Sequence, residues 1–396
     1  MSVNYLKLCL NEKEAVMQFR DLKKQYQVLK DQIDSAVTTV MTDANFISGK
    51  QIVELEAQLA EYVGVKHCIT CANGTDALTL ALMAWGIGEG DAVFVPDFTF
   101  FASAETVAYE GATPIFIDVE ETSFNISPKS LEEAIQVVVK EGKLKPRAIV
   151  AVDLFGQPAD YVEIRRIADK YGLMILEDAA QGFGGRIGDK VACSFGDIAT
   201  TSFFPAKPLG CYGDGGAIFT DNDAWAELIR SFRIHGKGTD KYDNVRIGMN
   251  SRLDTMQAAI LQVKLKAFKE YELEAVNRVA EKYTAALKDI VRTPSVKEGF
   301  YSSWAQYAIL LDTEEQRNAL QAQLKEKGIP SMIYYPRGMH EQGAFRGMSC
   351  KVVDLSVTEQ LCKRVLALPM HPYLEEEEQV SITEEVVRFI ELRSIQ

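Results

Sequence analysis

Hydrophobic positions near the N-terminus recur at the spacing of helices. A first amphipathic helix is predicted by apolar side chains three or four positions apart, at Leu22, Tyr26, Leu29, Ile33, Val37 and Val40. Gly64 is expected to end a second helix, whose apolar positions are Val53, Leu55, Leu59 and Val63. Further along, short apolar stretches typical of strands alternate with helical stretches. The predicted strands are His67–Thr70, Ala92–Val95, Thr113–Val119, Arg147–Asp153, Leu173–Glu177, Asp197–Phe203 and Gly216–Thr220.

This alternation predicts an α/β fold. Helices are predicted between the strands, for example at Thr75–Trp85, Ser103–Tyr109 and Asp160–Tyr171. Strands that alternate with helices form mainly parallel sheets covered on both faces, so we expect a mainly parallel seven-stranded sheet. The helix Thr75–Trp85 is apolar on nearly all sides and is expected to be buried.

The pattern changes after Asp254, where a helical stretch rich in Ala, Leu, Lys and Glu is predicted to reach about Lys288. The elements predicted beyond it are two strands and a final helix, at Gln306–Leu311, Ser331–Tyr335 and Thr383–Glu391. We therefore predict a large α/β domain over residues 17–255, then a helical connector and a small C-terminal α+β domain over 256–396. Residues 1–16 precede the first patterned helix and are predicted to be an extension that activity does not need.

The chain is acidic overall, which limits its partners. A net charge of −13 argues against nucleic acid. No apolar run reaches the about 18 residues of a membrane span, and no signal-peptide pattern is found, so we expect no membrane partner and a cytoplasmic location. Between Leu228 and Arg252, six basic and two acidic residues give a local charge of +4. This island is either a solvated basic loop or a surface for a small polyanion such as a nucleotide diphosphate.

Cysteine and histidine usage argues against a metal enzyme. The seven cysteines are scattered, and the one CxxC pair, Cys68 and Cys71, has no second pair at zinc spacing. None of the four histidines stands in an HxxxH or HxH arrangement. We expect no metal site and reduced thiols that pack as small hydrophobic side chains.

Three polar segments follow predicted strands, where open parallel sheets bind ligands. The first, Asn73-Gly74-Thr75-Asp76, opens the helix Thr75–Trp85. Free backbone amides and a hydroxyl at the positive end of a helix bind phosphate well. The same residues also suit plain helix capping, which is the alternative reading.

The second segment is Glu177-Asp178-Ala179-Ala180-Gln181, directly after the apolar residues LMIL. An acidic pair there can cap a helix or bind metal. A carboxylate in this place can also bond a protonated pyridine nitrogen, which keeps such a ring able to accept electrons. Gln181, one helical turn further on, could bond an oxygen on the same ring.

The third segment is Ser202-Phe203-Phe204-Pro205-Ala206-Lys207-Pro208, followed by a glycine-rich stretch. Prolines on both sides of the lysine stiffen the loop, which suits an amine that must be aimed at an aldehyde carbon. Burial near a cation would lower the pKa of the lysine and free the amine for a Schiff base. A structural lysine in a turn is the alternative. Phosphate site, acid and lysine in this order, each at a strand end, together favour pyridoxal phosphate (PLP) as cofactor.

With these motifs the sequence resembles the DegT/DnrJ/EryC1/StrS family of sugar-nucleotide aminotransferases, which are PLP enzymes of fold type I. The resemblance extends from about Met17 to the C-terminus. It is carried by FISG at 46–49, CANGTDAL at 71–78, EDAAQ at 177–181, SFFPAKPLGCYGDGG at 202–216, GMNSRLD at 248–254 and LPMHPYL at 368–374.

The resemblance implies roles for single residues. Lys207 would bond the cofactor and move the proton, Asp178 would pair with the pyridine nitrogen, and Gln181 with the ring oxygen. The implied phosphate and ring contacts are Gly74, Thr75, Asp76, Ser202 and Phe100, the last stacking on the pyridine face. The resemblance also implies a homodimer in which Asn250 reaches the phosphate in the partner's site.

Within the family, the similarity is greatest to enzymes that aminate C3 of UDP-2-acetamido-2-deoxy-3-keto-glucuronic acid for bacterial surface polysaccharides. The resemblance implies glutamate as the amino donor. Arg252 of the partner subunit would then bind the uronate carboxylate, in a bidentate pair. Those relatives carry His-Tyr-Pro where this chain has Tyr334-Tyr335-Pro336. Because this segment is expected to contact the sugar nucleotide, a C4-keto or other keto-sugar acceptor remains an alternative.

Three other classes are less well supported by the residues. A family branch that dehydrates sugars has histidine in place of the lysine, whereas this chain has Lys207. A nicotinamide-dependent oxidoreductase would need a GxGxxG motif after the first strand, and this motif is absent there. A regulator that binds PLP without catalysis would bind the cofactor but fail to transaminate keto sugars.

Overall fold

The structure is a computed structural model that describes residues 17–240, 242–348 and 350–394. The predicted extension, residues 1–16, lies outside the described residues. The large sheet has seven strands, in the spatial order β1-β9-β8-β5-β4-β2-β3. Their bounds are β1 His67–Cys71, β2 Asp91–Pro96, β3 Thr113–Ile117, β4 Lys145–Val152, β5 Met174–Asp178, β8 Ile198–Ser202 and β9 Gly216–Thr220.

Six of these strands run in one direction, and β9 runs against its two neighbours β1 and β8. All seven strands lie where the alternation of apolar and polar stretches predicts them. The predicted α/β class with a mainly parallel seven-stranded sheet is therefore confirmed.

Helices cover both faces of the sheet. Their bounds are α1 Leu22–Asp43, α2 Lys50–Val63, α3 Gly74–Trp85, α4 Ala102–Tyr109, α5 Pro128–Glu141, α6 Tyr161–Tyr171, α7 Asp223–Phe232, α8 Thr255–Ala267, α9 Leu273–Leu287, α10 Glu314–Glu326, α11 Ser356–Arg364 and α12 Glu376–Ser394. Val93 of β2 faces the core that contains α3, while its neighbour Phe94 faces the core formed with α5 and α6. The helix α3 is buried as predicted, because it packs between the sheet and α4 and α7.

The C-terminal part forms a second, smaller sheet. A π-helical turn, Phe268–Glu272, joins α8 to α9, which agrees with the predicted long helical stretch. Two antiparallel strands follow, β11 Tyr307–Leu310 and β12 Val365–Leu368. A three-stranded sheet of two-residue strands completes the fold: β6 Arg186–Ile187, β7 Lys190–Val191 and β10 Phe300–Tyr301.

Two predictions for this part were wrong. Residues 331–335 form no strand, and only Met332 makes an isolated bridge, to Ala367 of β12. The final helix begins well before Thr383, because the acidic residues Glu376–Glu378 form the first turn of α12, where negative charge suits the helix dipole. Of the helices in the described ranges, none has the length and apolar character needed to cross a bilayer. The six cysteines in these ranges are unpaired and buried.

Candidate active site

Lys207 lies in a tightly constrained loop that follows β8. Its backbone amide donates to the carbonyl of Phe204 at 2.9 Å, and the amide of Cys211 donates to the carbonyl of Phe203 at 2.7 Å. A Cβ atom on Gly210 would lie 2.6 Å from the carbonyl oxygens of Phe204 and Pro205. The loop can therefore close on itself only with glycine at position 210, and this closure fixes the backbone that carries the lysine.

Asp178 is the last residue of β5 and is buried. Its Oδ2 accepts a hydrogen bond from Oγ of Ser103 at 2.7 Å, and its Oδ1 accepts one from the amide of Ala180 at 3.2 Å. Among the ion pairs of the described residues, none involves this carboxylate. Both donors leave lone pairs of the carboxylate free to accept from a further N–H group.

Lys207 and Asp178 interact electrostatically. Burial raises the pKa of Asp178, and the hydrogen bond from Ser103 and the charge of Lys207 hold this rise back. Burial lowers the pKa of Lys207, while the charge of Asp178 opposes that change. The sequence-predicted lysine and acid are thus brought together at the carboxyl edge of neighbouring strands, β5 and β8.

The predicted phosphate site lies at the same edge. A Cβ atom on Gly74 would lie 2.7 Å from Cβ of Ser202, so the start of α3 and the end of β8 are in close contact. Asn73 caps α3, its Oδ1 accepting the amide of Asp76 at 2.8 Å. Capping is therefore present as well, but it uses only one of the first-turn amides, and those of Gly74 and Thr75 have no acceptor within the helix.

Gln181 lies beside an aromatic wall formed by the rings of Tyr335, Phe100 and Phe98. Its Oε1 accepts the amide of Phe155 at 2.8 Å, and its Nε2 donates to the hydroxyl of Tyr335 at 3.0 Å. The ring of Tyr335 lies 6.4 Å from the half-exposed ring of Phe100 and 6.0 Å from Phe98. One N–H of the Gln181 amide remains for another acceptor. Burial raises the pKa of Tyr335, so its hydroxyl stays protonated.

Tyr334 lies beside this wall, its ring 5.8 Å from Tyr335 and 6.1 Å from Phe19. Residues 331–335, predicted as a strand, therefore serve to place two tyrosine rings at the site.

Asn250 and Arg252 lie elsewhere in the chain. Nη2 of Arg252 donates to Oδ1 of Asn250 at 2.7 Å. Arg252 lines a groove of about 1060 Å³ together with Lys237, Arg246 and Ile247. Among the described residues, no hydrogen bond or ion pair joins Asn250 or Arg252 to Lys207 or Asp178. Within one chain the structure does not bring these two predicted residues to the lysine.

The basic island that contains them is partly neutralised. Nη1 of Arg233 forms an ion pair with Glu56 at 2.7 Å. Arg246 donates to Oγ of Ser231 at 2.6 Å and lies over the ring of Phe232. The island is thus in part a structural feature rather than a free cationic surface.

Glu177, which precedes Asp178 in β5, forms a buried acidic pair with Asp153. Glu177 accepts backbone amides from the loop 193–196, at 2.7 Å from Phe195. Asp153 accepts the hydroxyl of Tyr161 at 2.8 Å. Burial raises the pKa of Glu177 to about 7, and burial together with the charge of Glu177 raises that of Asp153 well above its usual range.

Two residues of the site were not predicted from the sequence. Ser103 orients Asp178, and Nη2 of Arg20 donates to the carbonyl of Lys207 at 2.8 Å. Ser103 lies three residues after Phe100, and no sequence pattern distinguishes its hydroxyl from those of other serines. Across the described ranges, no cluster of three metal-ligating side chains is found.

Comparison with known proteins gives a consistent result. A model of the DegT/DnrJ/EryC1/StrS aminotransferase family matches residues 27–387. The chain is 44% identical over 361 residues to the UDP-2-acetamido-2-deoxy-3-oxo-D-glucuronate aminotransferase of Pseudomonas aeruginosa, with 91% of this chain and 96% of the relative covered. It is 40% identical over 359 residues to the UDP-N-acetyl-3-dehydro-alpha-D-glucosamine 3-aminotransferase of Acidithiobacillus ferrooxidans, with 90% and 94% covered.

A solved structure agrees with these relatives. The crystal structure of a DegT DnrJ EryC1 StrS aminotransferase from Brucella abortus superimposes with a TM-score of 0.92 at 49% identity, and 94% of this chain and 99% of that chain are covered. The family model matches residues 27–387, which include every strand of the large sheet, and both curated relatives extend over 90% or more of the chain. The predicted resemblance is confirmed: the chain belongs to the DegT/DnrJ/EryC1/StrS aminotransferase family.

Proposed function

We propose that this chain is a PLP-dependent aminotransferase that aminates C3 of UDP-2-acetamido-2-deoxy-3-keto-glucuronic acid, with glutamate as amino donor. The observation that carries the proposal is the pair formed by the amine of Lys207 and the buried carboxylate of Asp178. Support for a UDP-linked 3-keto sugar comes from the names of the relatives at 44% and 40% identity.

The residues at the site fit pyridoxal phosphate. The buried carboxylate of Asp178 has spare acceptor capacity and no ion-pair partner among the described residues, as a protonated ring nitrogen requires. The close approach of Gly74 to Ser202 leaves backbone amides, not side chains, at the start of α3, which suits a phosphate. When bound, the cofactor supplies an aldehyde that bonds amines and a ring that accepts electrons from a broken C–H bond.

Each residue of the site would have its own role in binding the cofactor or in moving the proton. Nζ of Lys207 would hold the cofactor through its aldehyde and, as a free amine, would move a proton to and from the substrate carbon. Asp178, held by Ser103, keeps the ring nitrogen protonated. Gln181 offers its remaining N–H to the ring oxygen, and Phe100 offers a half-exposed ring for stacking. Gly74, Thr75, Asp76 and Ser202 hold the phosphate.

We propose that the acceptor lies against the rings of Tyr334 and Tyr335 and against the guanidinium of Arg252. Tyr334 and Tyr335 approach the site from the C-terminal part, and Arg252 is assigned to the uronate carboxylate. The relative at 40% identity is named for an acceptor without that carboxylate, so a neutral 3-keto sugar is the nearest alternative. A C4-keto nucleotide sugar is the next one.

We further propose a homodimer with two shared sites. Ile247 is 90% exposed and lines the same groove as Arg252, and Val245, Phe46 and Ile47 are half exposed. Exposed apolar side chains around an Asn250–Arg252 pair are typical of a surface that a partner covers. This arrangement would deliver Asn250 and Arg252 to the partner's lysine. The aminated sugar nucleotide would serve cytoplasmic synthesis of a bacterial surface polysaccharide.

The decisive experiment adds PLP to the purified protein and measures its visible absorbance and its turnover of the 3-keto uronate. Lys207→Ala should lose both, while Lys282→Ala on the exposed face of α9 should keep both. A colourless wild-type protein, or an active Lys207→Ala variant, would overturn the assignment.

The acceptor is tested by a panel of keto nucleotides. We expect the highest kcat/KM with the 3-keto uronate, lower values with neutral 3-keto and C4-keto sugars, and release of 2-oxoglutarate from glutamate in the first half-reaction. Arg252→Ala should raise KM for the uronate and leave KM for a neutral acceptor unchanged, because only the uronate presents a carboxylate to this guanidinium. Bound PLP without turnover of any acceptor would favour a regulator.

A further inference from the structure

Arg20 connects the N-terminal segment to the lysine loop. It lies two residues before α1 and donates from Nη2 to the carbonyl oxygen of Lys207 at 2.8 Å, across 187 positions of sequence. Lys207 already uses its amide to close the loop on Phe204. With Arg20 on its carbonyl, both backbone polar groups of Lys207 are hydrogen bonded.

The segment around Arg20 is itself fixed on both sides. The carbonyl of Phe19 accepts the amide of Met370 at 3.2 Å, and the ring of Phe19 packs edge-on against Tyr334. Asp21 caps α1 by accepting the amide of Lys24 at 2.8 Å. The guanidinium is therefore presented to the lysine loop by an anchored backbone and not by a loose strand.

Among the described residues, no carboxylate forms an ion pair with Arg20. The acid with the largest effect on it is Glu272, which is already bonded to Nε2 of Gln25 at 2.8 Å and to the hydroxyl of Tyr373 at 2.5 Å. Burial lowers the pKa of Arg20 to about 10, and the charge of Glu272 opposes this change. The guanidinium remains charged at neutral pH.

A cation beside an amine disfavours the protonated amine, because like charges repel most where water is excluded. Among the described residues, Asp178 is the acid whose charge acts on Lys207 in the other direction. Burial is the largest cause that lowers the pKa of Lys207, and the charge of Arg20 acts in the same direction. An amine that must bond a carbonyl carbon and then accept a proton has to be uncharged at that moment.

We propose that Arg20 is a positioning residue for Lys207: its hydrogen bond fixes the lysine backbone, and its charge favours the uncharged amine. The inference rests on the proposed function of Lys207 and deepens it. It gives Arg20, which precedes the first helix, a role in the chemistry of Lys207.

The test titrates the visible absorbance of the PLP-loaded protein between pH 6 and pH 10. Arg20→Met removes both the charge and the hydrogen bond, Arg20→Gln removes the charge and keeps an amide donor, and Arg20→Lys keeps a charge. We expect the midpoint to move to higher pH in Arg20→Met and Arg20→Gln and to stay near the wild-type value in Arg20→Lys. Arg278→Met, on the exposed face of α9, is the matched control and should not move it.

A midpoint in Arg20→Gln equal to that of the wild type would overturn the electrostatic role, and folded Arg20→Met with wild-type midpoint and kcat would overturn the proposal as a whole. If Arg20→Met fails to fold, Arg20→Gln alone decides. These outcomes differ from failure of the proposed function, because in that case the wild-type protein itself would not become coloured with PLP.

Discussion

Oγ of Ser103 donates a hydrogen bond of 2.7 Å to Oδ2 of Asp178, and Oγ1 of Thr99 lies 3.0 Å from Oγ of Ser103. Ser103 belongs to α4, which follows β2, whereas Asp178 ends β5, so the bond joins residues 75 positions apart. Its direction matters as well: the hydroxyl holds one oxygen of the carboxylate and opposes the effect of burial on its pKa. A serine next to the acid thus keeps that acid ionised for its proposed partner, the ring nitrogen.

Replacing Ser103 by alanine should therefore weaken catalysis through Asp178. Without the donor, the pKa of Asp178 rises further, so the carboxylate is protonated at a higher pH and pairs less well with the ring nitrogen. We expect kcat to fall by about tenfold and the acidic limb of the kcat profile to move to higher pH. Thr106→Ala, which removes a hydroxyl bonded only to a carbonyl within α4, is the control and should leave the profile in place. An unmoved acidic limb in Ser103→Ala would contradict this role.

Much of this site follows from the sequence because carboxyl ends of parallel strands meet at one edge. Asp178 and Ser202 each end a strand, and Lys207 follows the second of them, so their proximity is a consequence of strand order. No such rule predicts the contacts of Ser103 and Arg20. They depend on how α4 and the N-terminal segment pack, and a single hydroxyl or guanidinium leaves no periodic signal.

The wrongly predicted strand at 331–335 shows a second limit. Its residues, Ser-Met-Ile-Tyr-Tyr, have the β-branched and aromatic character of a strand, yet only Met332 pairs with β12. The tyrosines are used instead for contacts with Gln181 and the ring of Phe19. Composition cannot distinguish side chains that fill a sheet face from those that line a site. The Asn250–Arg252 pair is limited differently, because its proposed target lies in another subunit.

Gly74 should be essential for cofactor binding. A methyl group at this position would lie 2.7 Å from Cβ of Ser202, so the start of α3 and the end of β8 would have to separate. We expect Gly74→Ala to weaken PLP binding by about tenfold or more, measured by fluorescence titration, because the first-turn amides would be displaced from the phosphate. Gly88→Ala is the matched control, since its nearest neighbour would be 3.7 Å away. Equal PLP affinity of the two variants would show that the start of α3 does not bind the phosphate.

Because the pKa values of the buried Asp153 and Glu177 are raised, the stability of the protein should depend on pH. Burial raises the pKa of both groups, that of Glu177 to about 7, so the folded protein holds a proton that the unfolded chain releases above about pH 4. Stability from this source is thus fully present at acidic pH and is lost as the pH rises through the raised values.

Asp153→Asn should reduce that loss, because an amide can donate to Glu177 and still accept from Tyr161 without titrating. We expect the urea midpoint of the wild type to fall between pH 5 and pH 8 and that of Asp153→Asn to fall less. The exposed Asp169→Asn serves as control and should keep the wild-type difference. A variant that loses as much stability as the wild type over this range would mean that this pair is not the source of the pH dependence.

Mixing inactive variants should reveal whether the sites are shared between subunits. Lys207→Ala and Asn250→Ala are each expected to be inactive as pure proteins. If Asn250 serves the partner's lysine, a mixed dimer carries one complete site, with Lys207 from one subunit and Asn250 from the other. Random reassembly of equal amounts should then restore about a quarter of the wild-type activity, since half of the dimers are mixed and each has one working site.

The pair Lys207→Ala and Asp178→Asn provides the control for this mixing experiment. Lys207 and Asp178 meet within one chain, so a mixed dimer of these variants has a defect in both sites and should stay inactive. Recovery in the first mixture but not in the second would require that Asn250 crosses to the partner while the lysine and the acid do not. Recovery in neither mixture would place Asn250 in the same site as its own Lys207, and the exposed Ile247 beside Arg252 would then need another explanation.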